Sequence, residues 1–121
     1  KAFELICDWG HGPAGHYGGH RAPGLWMLGG GERLLETAHA GALSIDLINC
    51  DAYAEAEASA AKVACPALLV LGSEDRMTPA RAGQKLAGLI AGSRVALLPG
   101  AGHMMMVEQP DQTLDAVKGF L

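Results

Sequence analysis

The 121-residue sequence has no apolar run approaching the roughly 20 residues needed to cross a bilayer. It also has no charged, apolar and small-residue succession of the kind that marks a signal peptide, so a soluble protein is expected. No basic stripe is present: Arg21, Arg33, Lys62, Arg76, Arg81, Lys85, Arg94 and Lys118 occur singly, and the net charge is -4. Nothing here could neutralise a phosphate backbone, which speaks against nucleic acid as a partner. The cysteines Cys7, Cys50 and Cys65 form an odd set without a CxxC pair. They read as reduced packing thiols of a cytoplasmic protein rather than as a disulfide framework. What the sequence does have is 50% hydrophobic and 18% charged residues, which fits one globular domain of modest size with one core.

Residues 67 to 71, "ALLVL", are a short apolar run bounded by Pro66 and Gly72, as in a strand buried on both faces. After the loop "GSEDRM", Thr78 and Pro79 predict a helix start, with threonine as the N-cap and proline in the first turn. "RVALL", residues 94 to 98, is a second strand, and Pro110 opens a last helix whose Leu114, Val117 and Leu121 recur on one face. Strand, helix, strand, helix with these short connections is a βαβα unit with parallel strands.

Upstream, residues 31 to 61 contain no β-branched run, and Leu34, Leu35, Ala38, Leu43, Leu47 and Cys50 recur at helical spacing, so two or three short helices are expected. Residues 9 to 31 hold nine glycines and read as a mobile connector. Parallel sheets need several strands with both faces covered, whereas this chain supplies two. The chain also opens at Lys1 in what reads as the middle of a helix. The expectation is an incomplete fold whose remaining strands lie in an N-terminal half or another chain.

Reactive groups of an open parallel sheet collect beyond the carboxyl ends of its strands. Asp75 follows the first strand and His103, in "LPGAGHMMM", follows the second. Neighbouring strands about 4.8 Å apart would set the two loops side by side. A carboxylate could then hold one ring nitrogen of His103 while the other takes a proton from a nucleophile. Asp75 is the better partner, with Glu74 a weaker one.

With these residues in place, 65 to 121 resembles the C-terminal segment of the α/β-hydrolases. The markers are Pro66, Gly72 and Asp75 in a GxxD loop, Pro79, Gly102, His103, Glu108 and Pro110, in that order. Residues 1 to 64 resemble the helical cap that many members insert before it, and "DLINCDAY" is similar to one bacterial branch. The resemblance implies an α/β fold: the C-terminal part of an α/β-hydrolase parallel sheet, preceded by a helical cap. It also implies a Ser, Asp, His triad whose serine sits on a GxSxG elbow. Ser44, Ser59, Ser73 and Ser93 all lack that context, so the nucleophile and most of the oxyanion hole would belong to the missing half.

The implied protein is a serine-type hydrolase of small apolar esters or related acyl compounds, with Asp75 and His103 as acid and base and no metal or organic cofactor. This chain alone is expected to be inactive. Relatives with an aspartate at the elbow cleave carbon–halogen or epoxide bonds, and others cut carbon–carbon bonds. Trp9, Trp26 and Met104 would contribute apolar surface to the substrate cavity, while Glu108 would hold backbone near the last helix. Cys7, Asp8, His11, His16 and His20 carry zinc-competent atoms, but their spacing fits no zinc site, and no metal is expected. The alternative is a noncatalytic binding module that pairs, or self-associates, through an exposed strand edge.

Overall fold

A computed structural model describes residues 1–16 and 24–121. Five helices come first: α1 (Ala2–Gly10), α2 (Pro13–His16), α3 (Met27–Thr37), α4 (Ala42–Ala52) and α5 (Ala56–Ala60). The second half follows as β1 (Leu68–Gly72), α6 (Ala80–Ala87), β2 (Arg94–Leu98), α7 (Met105–Glu108) and α8 (Pro110–Lys118). The strands are parallel, with Leu68 opposite Arg94 and Gly72 opposite Leu98. The crossover helix α6 packs on the face that carries Leu71, where Gly83 lies against the Leu71 side chain. On the other face Val70 packs with the buried Leu98, Ala101 and Met105. Arg94, on that same face by register, lies 5.6 Å from the Phe120 ring centroid, which places the end of α8 there.

The expected strands and the expected helices of residues 31 to 61 are present, but the described parts of the glycine-rich stretch, 9 to 16 and 24 to 31, are more ordered than their composition predicts, while residues 17 to 23 of the expected connector lie outside the described residues. Helix α3 runs through Gly29, Gly30 and Gly31, and Pro13–His16 forms a helical turn. Packing overrides propensity here: a side chain at Gly31 would stand 2.9 Å from Cys7 Sγ, so glycine lets α3 approach α1. The first strand, predicted to be buried on both faces, is only half-buried over Leu68–Leu71, and β2 is more open still. Val95 and Leu97 are exposed, as are Leu114, Val117 and Leu121 of the last helical stripe. Apolar periodicity marks which face is suited to burial, and the rest of the described residues cover most of these side chains only in part. Only Cys7 of the three thiols is a packing residue, since Cys50 and Cys65 are exposed. No described helix is long and apolar enough to cross a membrane.

Candidate functional site

The acid and histidine loops are stitched together before any side chain is considered. The Ser73 amide donates to Leu98 O at 3.1 Å and the Glu74 amide to Ala101 O at 2.9 Å. The Gly100 amide donates to Ser73 Oγ at 2.8 Å. These bonds continue the strand pairing past the ends of β1 and β2 and hold the two loops at one rim of the sheet.

On that rim His103 Nδ1 lies 2.9 Å from Asp75 Oδ2. The Asp75 carboxylate is buried, its side chain 4% exposed, while the imidazole is 38% exposed. Asp75 Oδ1 accepts the amides of Met77 at 2.9 Å and Thr78 at 2.8 Å. Oδ2 accepts the Thr78 hydroxyl at 2.8 Å as well as the histidine. Burial pushes the Asp75 carboxyl up, but the bonds from the Thr78 amide, His103 and the Thr78 hydroxyl outweigh it and hold the group below its ordinary range. An ionised carboxylate only accepts, so the ring nitrogen that faces it, His103 Nδ1, is assigned the proton.

Thr78 does not cap α6 as the sequence suggested. The helix begins at Ala80 with Pro79 as the residue before it, and no side chain caps it. The turn is closed by Asp75 instead, which accepts the amides two and three residues ahead while also meeting the histidine. Glu74 is exposed and pairs with Ser73 Oγ at 3.3 Å, whereas Asp75 is the carboxylate beside His103.

Glu108 is 4% exposed, and its carboxylate accepts the amides of Gly12 at 2.8 Å and Gly102 at 3.0 Å. It therefore ties the α1–α2 turn to the histidine loop, a longer reach than the sequence suggested. The Met104 amide adds a bond to Gly10 O at 2.8 Å. Gly10 packs against Met77 and Met104, so the end of α1 rests on residues from both loops. Trp9, 43% exposed, is in the last turn of α1. Trp26, 66% exposed, stands before α3 with its ring against Gly29 and lines a pocket with Ala14, His16 and Leu25. An open apolar groove of about 620 Å³ beside Leu69, Leu71, Thr78 and Leu86 involves none of Trp9, Trp26 or Met104.

The zinc-competent atoms of the glycine-rich stretch have other partners. His11 Nδ1 bonds Cys7 O at 2.8 Å, and His16 Nε2 bonds Asp8 Oδ1 at 2.8 Å. Among the described residues no three such groups converge on a metal-sized site, and His20 lies outside the described residues.

The model of the alpha/beta hydrolase family matches residues 5–116. The chain belongs to the alpha/beta hydrolase family. A curated relative from Metapseudomonas resinovorans, 2-hydroxy-6-oxo-6-(2'-aminophenyl)hexa-2,4-dienoic acid hydrolase, is 35% identical over 60 residues, covering 50% of this chain and 21% of that protein. Among solved structures, this chain is similar to Est816, described as an N-acyl homoserine lactone degrading enzyme. That likeness has a TM-score of 0.76 at 17% identity and covers 99% of this chain and 46% of the other, so it speaks to the fold. The alpha/beta hydrolase chain thus spans about a fifth of the curated relative and under half of the structural one.

Proposed function

We propose that this chain supplies the acid and base of a Ser, Asp, His triad in a hydrolase of small apolar esters or related acyl compounds. The observation that carries the reading is the 2.9 Å contact between His103 Nδ1 and the buried Asp75 Oδ2. His103 Nε2 takes the proton of a serine hydroxyl as its oxygen attacks the acyl carbon, and Asp75 stabilises the imidazolium that results. The same proton then goes to the leaving oxygen. The serine, the oxyanion donors and the remaining strands come from a segment outside these 121 residues, in line with the missing elbow and the partial coverage of the relatives. The helices of residues 1 to 64 act as its cap, with Trp9, Trp26 and Met104 as apolar substrate surface.

The test is recombination with an N-terminal half that carries a GxSxG elbow, assayed on a short-chain nitrophenyl ester. The chain alone is expected to be silent, the recombined enzyme active, and His103→Ala to lower kcat by roughly a thousandfold or more. Turnover that is indifferent to His103→Ala would overturn the proposal. A second reading, a binding module pairing through its sheet edge, draws on the two-stranded sheet. It gains if recombination restores association but no turnover of any ester tried.

A further inference from the structure

We propose that Thr78 is a positioning residue whose hydroxyl forms the third corner of a hydrogen-bonded triangle and fixes the His103 ring with its proton on Nδ1. The inference rests on the Asp75–His103 pair acting as proposed above.

The three corners are mutually within bonding distance. Thr78 Oγ1 is 2.8 Å from Asp75 Oδ2 and 3.0 Å from His103 Nδ1, and Nδ1 is 2.9 Å from Oδ2. A hydroxyl has one proton, and it goes to Oδ2, because the ionised carboxylate has none to offer. The lone pairs of Oγ1 therefore face Nδ1. The Nδ1 proton is shared between Oδ2 and Oγ1, and a ring turned to present its bare nitrogen would face two acceptors and one donor already committed.

The hydroxyl has no competing task in helix initiation. No side chain caps α6, and Pro79 before it has no amide proton to satisfy. The Thr78 amide also holds Asp75 Oδ1, so one residue grips both carboxylate oxygens and leaves Oδ2 as the oxygen presented to the ring. With two donors on Oδ2, the carboxylate is less inclined to take the proton when the imidazolium forms. The depressed Asp75 titration is consistent with this arrangement.

The test reads the His103 tautomer in the 15N-labelled chain at about pH 8.5, where imidazoles are largely neutral. The wild-type ring is expected to be mostly protonated on Nδ1. Thr78→Val, which keeps the shape and loses the hydroxyl, should lower the Nδ1-H to Nε2-H ratio about fivefold, in keeping with the net worth of one hydrogen bond. Thr78→Ser should stay within about twofold of wild type, and all three should share amide shifts along α6. If Thr78→Val loses amide dispersion, Thr78→Ala is read in its place. Asp75→Asn separates the two claims. A ratio changed by Asp75→Asn but not by loss of the hydroxyl overturns the role of Thr78 and leaves the pair standing. A ratio unmoved by Asp75→Asn removes the pair itself, and the inference with it.

Discussion

Arg76, the residue after the acid of the candidate pair, reaches back 68 positions to Asp8 in α1, with Nη1 3.1 Å from Oδ2. The other oxygen of the same carboxylate takes His16 Nε2 at 2.8 Å. The helical N-terminal segment is thereby fastened to the acid loop by charge, as Glu108 fastens it to the histidine loop.

That fastening depends on pH at both ends. His16 is raised, chiefly by its bond to the Gly12 carbonyl and then by Asp8, with burial and Arg76 opposing. Its contribution is complete below the ordinary imidazole value of about 6.5 and is lost as pH rises through the higher folded value. Asp8 is lowered, chiefly by the bond from His16, so its contribution is present above about pH 3.9 and is lost as pH falls through the lower folded value. The Gly15 amide, bonded to Gly12 O at 3.0 Å, reports on this turn. Its exchange protection, corrected for intrinsic rate, should peak between about pH 4 and 6.5 and fall severalfold by about pH 8.5. Asp8→Asn should abolish the acid limb and shrink the alkaline one, which the Gly12 carbonyl bond to His16 still supports, and a wild-type profile that is already flat would contradict the account.

Removing the Glu108 carboxylate should be costly because two buried amides lose their acceptor together. Glu108→Ala is expected to destabilise by about 2–4 kcal/mol in urea titrations and to unprotect the amides of Gly12 and Gly102. Glu108→Gln, which keeps one acceptor oxygen, should lose about half as much. Equal protection at both glycines in Glu108→Ala would show that the bonds do not matter in solution.

Two glycine substitutions should have opposite outcomes. A side chain at Gly102 would lie 2.6 Å from the carbonyl carbon of His11 and 2.9 Å from Glu108 Oε1, and it would press on the Gly12 amide. Gly102→Ala is expected to cost about 1–3 kcal/mol, because the obstacle is mostly backbone. Gly30, helical in α3, has nothing within 4 Å of its would-be side chain. Gly30→Ala should gain about 0.5–1 kcal/mol. Urea midpoints of the two variants, measured side by side, check both signs.

The exposed area predicts association. The chain presents 8123 Å² to solvent. A compact monomer of 12.5 kDa is expected to present about 6,200 Å². The excess of about 1,900 Å² on one chain is about twice the roughly 800 Å² that each partner buries in an interface of standard size. Exposed Val95 and Leu97 share one face of β2, since they alternate along the strand. Sedimentation velocity should show a species heavier than 12.5 kDa whose share grows with concentration, and Val95→Lys should reduce it. A concentration-independent monomer with a sharp melting transition would rule this out.

The parts of the fold that were legible are those written in short-range signals. Pro66 and Gly72 bracket β1, the apolar run at 94 to 98 is β2, and Pro110 occupies the first turn of α8. The Asp75–His103 contact was legible because parallel neighbours force their following loops together. The role of Thr78 was hidden because a threonine before proline has an obvious local use, and Asp75 took over that use by accepting the amides of 77 and 78. Arg76–Asp8 and Glu108–Gly12 join residues 68 and 96 positions apart, and no local pattern announces such bonds. The exposure of Leu114 and Val117 was not legible for a different reason: periodicity shows what a face is suited to, whereas a covering layer is a property of the rest of the molecule.

The carboxylate of Glu108, shared between the amides of Gly12 and Gly102, makes the helical segment a poor candidate for exchange as a module. Any transplanted lid that brings a bulkier residue or an absent amide to position 12 would strand half of a buried anion. It would also slacken the turn from which His103 projects, so grafting for new selectivity has to carry that one glycine along.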